Sequence, residues 1–152
     1  MRKVLLLAVA VVACSKAETP AADTAAAAPP PPAAPAVLTA ADVRGTWNGT
    51  GKREGSDSAI TFTVTNTTDS TGKVVFSNGD SATTVTRFDA DSMIETSGPY
   101  NDPAAPKNAP KVTFRSIGRL QDGRLVGVAA ISPAAKPDTV VARVNWEATR
   151  AP

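Results

Sequence analysis

From Leu38 to the C-terminus the apolar residues tend to fall on alternate positions, and this period of two is what most restricts the fold. In Ile60-Thr61-Phe62-Thr63-Val64-Thr65 one face carries Ile60, Phe62 and Val64 while the other carries only threonine. Such a segment is a strand with one dry face and one wet face. Near the C-terminus Val140, Ala142, Val144, Trp146, Ala148 and Arg150 share a face in the same way. Strands are expected near 43–52, 59–66, 73–77, 82–88, 92–96, 111–119, 124–132 and 139–149. The breaks carry turn chemistry at Thr71-Gly72, Asn78-Gly79, Asp89-Ala90-Asp91 and Asp122-Gly123. Short connections between successive strands favour antiparallel pairing. One short helical turn is expected at Thr39–Val43, with Thr39 as its cap. The fold class is therefore all-β, an antiparallel up-and-down eight-stranded barrel, with a two-sheet β-sandwich as the alternative.

The residues before this domain have a different character. Arg2 and Lys3 precede an unbroken apolar run from Val4 to Val12, followed by Ala13-Cys14. A charged start, a short apolar stretch and a small-residue cleavage site are the marks of an export signal. The run is about half the roughly 20 residues that a spanning helix needs. Val11-Val12-Ala13-Cys14 resembles the lipobox of bacterial lipoproteins. That resemblance implies cleavage after Ala13, a diacylglycerol on the Cys14 thiol and an acyl group such as palmitate on its new amine. Ser15 resembles an outer-membrane sorting signal, since inner-membrane retention typically uses Asp there. From Ser15 to Val37 the chain is mostly Ala and Pro, with prolines at 20, 29–32 and 35 that block a helix. The expected organisation is a signal peptide over 1–13, a lipidated Cys14 with a disordered Ala/Pro tether over 14–37, and the β domain over 38–152.

Two features at the ends of the β domain bear on its closure. Gly45-Thr46-Trp47 enters the first strand, and Arg150 stands at the end of the last. Gly45-Thr46-Trp47 resembles the Gly-x-Trp entry of lipocalins and related lipocalin-like barrels. In that family the tryptophan packs across the closed end and an arginine of the last strand lies over its indole. The resemblance implies those closure roles for Gly45, Trp47 and Arg150, and Trp146 is grouped with them as a core aromatic of the last strand. The family's usual disulfide, C-terminal helix and second motif are not recognisable here.

Composition narrows the function. The chain of 152 residues has no His and one Cys, so the commonest general base and zinc ligand are absent and no internal disulfide can form. Arg2 and Lys3 alone account for the formal net charge of +2, leaving a chain from Cys14 that is formally neutral and no basic footprint for nucleic acid. Neither catalysis, a metal site nor a cofactor other than the lipid on Cys14 is expected.

Among candidate sites, the segment from Gly98 to Pro110 is the longest interior stretch without strand alternation, and it holds Tyr100 and Asp102. Long loops over a rigid sheet are where binding residues concentrate, so Tyr100 and Asp102 are the expected ligand or partner contacts. Asp89, Asp91 and Glu95 supply oxygen ligands of the kind Ca²⁺ prefers, but without the glycine and spacing of a calcium loop; solvated acids at a turn are expected. Gly49-Thr50-Gly51-Lys52 lacks the spacing of a phosphate loop. Arg87, Arg115, Arg119 and Arg143 occupy strand positions, facing solvent or, with the register flipped, lining the barrel for an anion.

The functional expectation is a membrane-anchored envelope lipoprotein, in the outer membrane and facing the periplasm or the surface. Its lipocalin-like β domain would be a non-catalytic binding module for a small apolar or amphipathic ligand. The alternative is a structural or protein-interaction lipoprotein of the envelope with a filled barrel. Gly127, Ala129, Ala130 and Ala142 lining an open cavity would favour the first. Trp47, Phe62, Phe114 and Trp146 meeting at the centre would favour the second.

Overall fold

The structure is a computed structural model that describes residues 37–152; the signal, Cys14 and nearly all of the tether lie outside the described residues. A single turn of helix, α1 (Ala40–Val43), leads into eight strands: β1 (Gly45–Arg53), β2 (Ala59–Asn66), β3 (Thr71–Phe76), β4 (Ser81–Asp89), β5 (Ser92–Ser97), β6 (Val112–Gln121), β7 (Arg124–Pro133) and β8 (Ala142–Arg150). Each strand pairs antiparallel with the next, and β1 pairs antiparallel with β8. The sheet therefore closes into an up-and-down barrel, an architecture consistent with a lipocalin-like barrel, and the sandwich alternative is not what forms. Closure leaves no sheet edge, so ladder donors and acceptors are used all round.

Alternation sorts the side chains as the sequence pattern requires. Along β4, Ala82, Thr84 and Thr86 are buried while Ser81, Thr83, Val85 and Arg87 are exposed. The β6–β7 turn uses Asp122 at φ 49° and Gly123 at φ 76°, the left-handed pair that suits a two-residue hairpin. The last strand starts at Ala142 and not near Thr139. Successive turns, with Lys136 N–H donating to the Pro133 carbonyl (2.8 Å) and Thr139 N–H to that of Lys136 (3.1 Å), hold the preceding segment off the ladder. Val140 and Val141 are exposed as a result.

The barrel has two unlike ends. At one, short turns join β2 to β3, β4 to β5 and β6 to β7, and α1 lies across the opening. Trp47 is 1% exposed there and packs with Leu38, Val43, Met93, Leu125 and Ala148. Its Nε1 donates to the Val43 carbonyl at 2.9 Å, and Asn66 Nδ2 donates to the same oxygen at 2.9 Å. The Arg150 guanidinium sits 4.5 Å from the centre of the Trp47 ring, a cation-π distance. The same group donates to the carbonyls of Arg44 (2.6 Å) and Asp42 (2.8 Å). Gly45 has φ 104°, a backbone shape that calls for glycine. Gly45, Trp47 and Arg150 thus form one cap. Trp146 packs against the same cluster from further up the barrel, where in register it pairs with Gly51 and Gly127.

Arg150 joins the helix to the last strand through two hydrogen bonds from an exposed guanidinium, each contributing about 0.5–1.5 kcal/mol. Replacing it by Met keeps the aliphatic stem but removes charge and donors. Arg150→Met is expected to lower unfolding free energy by roughly 1–3 kcal/mol, measured by urea titration with tryptophan fluorescence; Arg150→Lys, which cannot span both carbonyls, should recover only part of the loss.

Candidate binding site in the barrel interior

Above the cap, Phe62 from β2 and Trp146 from β8 cross the interior edge to face, with ring centres 6.4 Å apart. Glycines on the adjoining strands β1, β6 and β7 make room for them. A Cβ on Gly49 would lie 2.4 Å from the Phe62 ring, and Cβ atoms on Gly118 and Gly127 would lie 2.8 and 2.7 Å from the Trp146 ring. Trp146 Nε1 donates to Ser116 Oγ at 2.9 Å, which satisfies its one polar atom. Gly127 therefore accommodates an aromatic ring and leaves no open space of its own. Ala130 opposes the exposed Arg115 and Arg143 on the outer face, so it is not a lining residue.

What remains is a narrow cavity of about 80 Å³. It is bordered by Trp47, Leu125 and Ala148 at the capped end and by Tyr100, Asp102 and Pro103 at the other. Drug-sized ligands occupy cavities of roughly 300–1,000 Å³, so no such ligand fits this form. At roughly 10–15 Å³ of such space per water, it holds several waters or a small molecule of similar bulk. Its walls are apolar. Ile60, Phe62, Val64, Phe76, Phe114 and Val144 are only partly buried although they line the interior.

The polar exceptions cluster on one wall. Glu95 on β5 is 5% exposed and lines the cavity, as does Asn66 at 5%. In register Glu95 stands opposite Thr86 on β4 and Ser116 on β6. Four side-chain oxygens in this region are buried without a hydrogen-bond partner, Asn66 Oδ1, Thr84 Oγ1, Thr86 Oγ1 and Glu95 Oε1; of these residues Asn66 and Glu95 line the cavity. The Asn66 amide is oriented by the Val43 carbonyl, which accepts from Nδ2 and leaves Oδ1 free. Asn66 Oδ1 and Thr84 Oγ1 lie 2.6 and 2.9 Å from the point where a Gly72 Cβ would stand; the bare glycine lets both reach it. Burial pushes the Glu95 carboxyl above the usual carboxylate range, and the nearby Thr84 hydroxyl, outside hydrogen-bond geometry, offsets part of that shift.

The other end is stoppered by the loop between β5 and β6. Tyr100 is buried, not exposed to a partner. It stacks on Phe76 with centres 4.8 Å apart and meets Phe114 edge-on at 5.9 Å. Reciprocal backbone bonds with Val112, 2.9 and 3.0 Å long, fix it there. The aromatic pair at the barrel rim draws the ring inward, which a loop reading of the sequence does not anticipate. Burial, followed by the Asp102 charge, pushes the Tyr100 phenol above its ordinary value, with Arg53 partly offsetting. Asp102 forms an ion pair with Arg53 at the end of β1, and its other oxygen accepts from Ala104 N–H at 3.0 Å. Tyr100 and Asp102 are thus brought to the cavity mouth, and Arg53, which the sequence reading passed over, joins them. Arg53 Nε is buried without a partner.

The remaining sequence candidates are separated by the pleat. Asp89 is exposed, Asp91 pairs with Arg119 at 3.3 Å, and Glu95 points into the barrel. They do not converge, and among the described residues no group of His, Cys, Asp or Glu is placed to hold a metal. Gly49 to Lys52 are ordinary ladder residues of β1. Arg87, Arg115, Arg119 and Arg143 are exposed on the outer face, so the flipped register does not occur. Glu95 and Asn66 escaped sequence reading because one resembled a turn acid and the other a strand-end polar residue. The available signal was parity: Glu95 shares its face with Met93, and Asn66 with Phe62 and Val64.

Because the folded carboxyl of Glu95 titrates above the ordinary 4.5, folding favours the protonated form. Stability tied to this group is complete below that value and is lost as pH rises through the folded one. Urea unfolding between about pH 4 and 8 should therefore show Glu95→Gln gaining on the wild type as pH rises; parallel curves would mean that Glu95 is not held neutral. Comparison with known proteins places this site in no recognised group, since no protein-family model, no curated protein and no solved structure matches the chain.

Proposed function

We propose that the chain is a lipid-anchored envelope lipoprotein whose barrel is a non-catalytic binding module for a small apolar or amphipathic molecule. The domain is a closed eight-stranded barrel with an apolar interior cavity. The observation that carries the binding reading is the wall of partly buried Ile60, Val64, Phe76, Phe114 and Val144 around that cavity. Apolar surface that folding leaves unpacked gains about 25 cal/mol per Å² when a ligand covers it. Support for the anchor comes from Arg2-Lys3, the run Val4 to Val12, and Ala13-Cys14. Lipid chains on Cys14 would hold the barrel at a membrane, each buried CH₂ adding about 0.8 kcal/mol, and the Ala/Pro tether would let it stand off the surface. No catalytic role, metal or nucleic-acid partner is part of the reading.

One observation favours the alternative, a structural or protein-interaction lipoprotein. The cavity is about 80 Å³, and the Phe62 and Trp146 rings fill the middle of the barrel. A single measurement separates the two. Xenon or ethane added to isotopically labelled protein should shift the methyl resonances of Val64, Val74, Met93, Ile131 and Val144 saturably, leaving outer-face methyls such as Val85 unmoved. The absence of a saturable shift would drop the ligand and leave the interaction role. For the anchor, Cys14→Ser should move the protein from the membrane fraction to the soluble fraction; continued membrane retention would sink the lipoprotein reading.

A further inference from the structure

We propose that the outer wall of β5–β7 lies on an anionic bilayer, with Arg87, Arg115 and Arg143 at lipid phosphates and Ile94, Ile117 and Val128 at the boundary between headgroups and acyl chains. The bilayer is the one that would hold Cys14, so the inference rests on the lipoprotein reading above and adds a second contact to it.

The outer surface of the barrel has two unlike sides. Around β1 and β2 it presents hydroxyls: Thr46 pairs in register with Thr65, and Thr50 with Thr61. Across β5 to β7 one register line sets Ile94, Ile117 and Val128 side by side. Ile117 and Val128 are 44% and 39% exposed. Arginines border this row. Arg87 stands opposite Ile94 at its β4 end, and the next line toward the loop end holds Arg115, Ala130 and Arg143. Two further arginines of the wall are neutralised, Arg119 by Asp91 and Arg124 by Glu147. Arg87, Arg115 and Arg143 are exposed and form no ion pair among the described residues.

Aliphatic side chains bordered by unpaired guanidinium groups match a surface that carries phosphate above hydrocarbon. Arginine binds phosphate through paired donors, and each cation near an anionic bilayer strengthens binding about fivefold. A second copy of the chain is disfavoured, since the same face on both sides of a twofold axis sets arginine against arginine. The path of the chain also points to the bilayer. Val37, the first described residue, is 71% exposed and shares a groove with Leu38, Asp91, Arg119 and Leu120. Leu38 N–H donates to the Ala90 carbonyl at 3.0 Å. The tether thus joins the barrel at the capped-end border of this same wall. From Cys14 to Val37 the chain reaches at most about 80 Å, which keeps the wall at high effective concentration beside the surface that holds Cys14. The contact is peripheral and is screened by roughly 0.5 M salt, so a salt-washed membrane fraction reports the Cys14 anchor alone.

The test uses the full chain carrying Cys14→Ser, which removes the lipid and the only thiol. A fluorophore is placed on Asn145→Cys, beside Val128, or on Thr63→Cys, on the hydroxyl side. Vesicles of phosphatidylglycerol and phosphatidylcholine with spin-labelled acyl chains should quench the probe at position 145 and leave the one at position 63 bright. Phosphatidylcholine alone, or about 0.5 M salt, should abolish the quenching. Arg87→Gln, Arg115→Gln and Arg143→Gln together should raise the lipid concentration for half quenching on the order of a hundredfold. Lys73→Gln, Lys107→Gln and Lys136→Gln together, which remove the same charge from other exposed positions, should change it by less than about fivefold. Equal quenching at both positions, none at 145, or none lost with the three arginines overturns the bilayer contact. Binding of a polyglutamate peptide without quenching by vesicles assigns the wall to an acidic protein and overturns it too. Salt-washed flotation of the wild-type chain with membranes judges the anchor separately: its absence sinks the lipoprotein reading while quenching at 145 keeps the wall, and flotation without quenching keeps the anchor and drops the wall.

Discussion

The fit of Trp146 and Phe62 against bare glycine on the adjoining strands sets the size of the barrel interior, and most of what the domain can do follows from it. An eight-stranded barrel is just wide enough for its own side chains to fill. Here two aromatic rings use the middle of that space, and only the missing Cβ atoms of Gly49, Gly118 and Gly127 let them lie there. Adding even one methyl at these glycines would force rings or backbone to move, at a cost of about 1–3 kcal/mol. The cavity is thus the residue of a packing solution, narrow because the rings are large and continuous because they meet edge to face.

The capped end and the polar wall are one hydrogen-bonded system. The Val43 carbonyl accepts from both Trp47 and Asn66. That oxygen lies at the end of α1, where a helical carbonyl has no partner within the helix. Its two bonds fix the indole that closes the barrel and the amide whose Oδ1 faces inward. Arg150 then covers the indole and takes up the carbonyls of Asp42 and Arg44. The helix end is satisfied by the barrel, and the barrel is sealed by the helix end. Anything that loosens α1 also frees Asn66, so the placement of its amide depends on the integrity of the cap.

Local rules carried the fold. The threonine and apolar alternation of 60–65, the Asp122-Gly123 turn and the Gly45-Thr46-Trp47 entry each express a constraint contained within a few residues, and the strands lie close to where those rules put them. What stayed hidden required knowing which residues meet across the barrel. Tyr100 looks like a loop contact until Phe76 and Phe114, from strands far away in sequence, are seen at the rim. Glu95 looks like a solvated acid because it follows Asp89 and Asp91, and only the β4–β5 register turns it inward. Gly127 looks like room for a ligand until Trp146 is placed beside it. Side-chain volume at the centre is a sum over all eight strands, and no single segment contains it.

The two ends of the barrel are held very differently. Opening the capped end exposes Trp47, at 1% exposure the most deeply buried large side chain, and breaks the bonds of Arg150, Trp47 and Asn66 together. Opening the other end displaces one ring from an aromatic stack, parts the bridge between Tyr100 and Val112, and separates Asp102 from Arg53. Arg53 and Asp102 are 29% and 10% exposed, so their pair is more shielded than the exposed ones on the outer face, but it is a single contact. The proline-rich stretch from Pro103 to Pro110 has few backbone donors to tie it to the sheet. The loop end is therefore the one with the smaller opening cost. The Tyr100 ring fills the space between Phe76 and Phe114, so the volume of the interior at this end is set by where that one side chain lies.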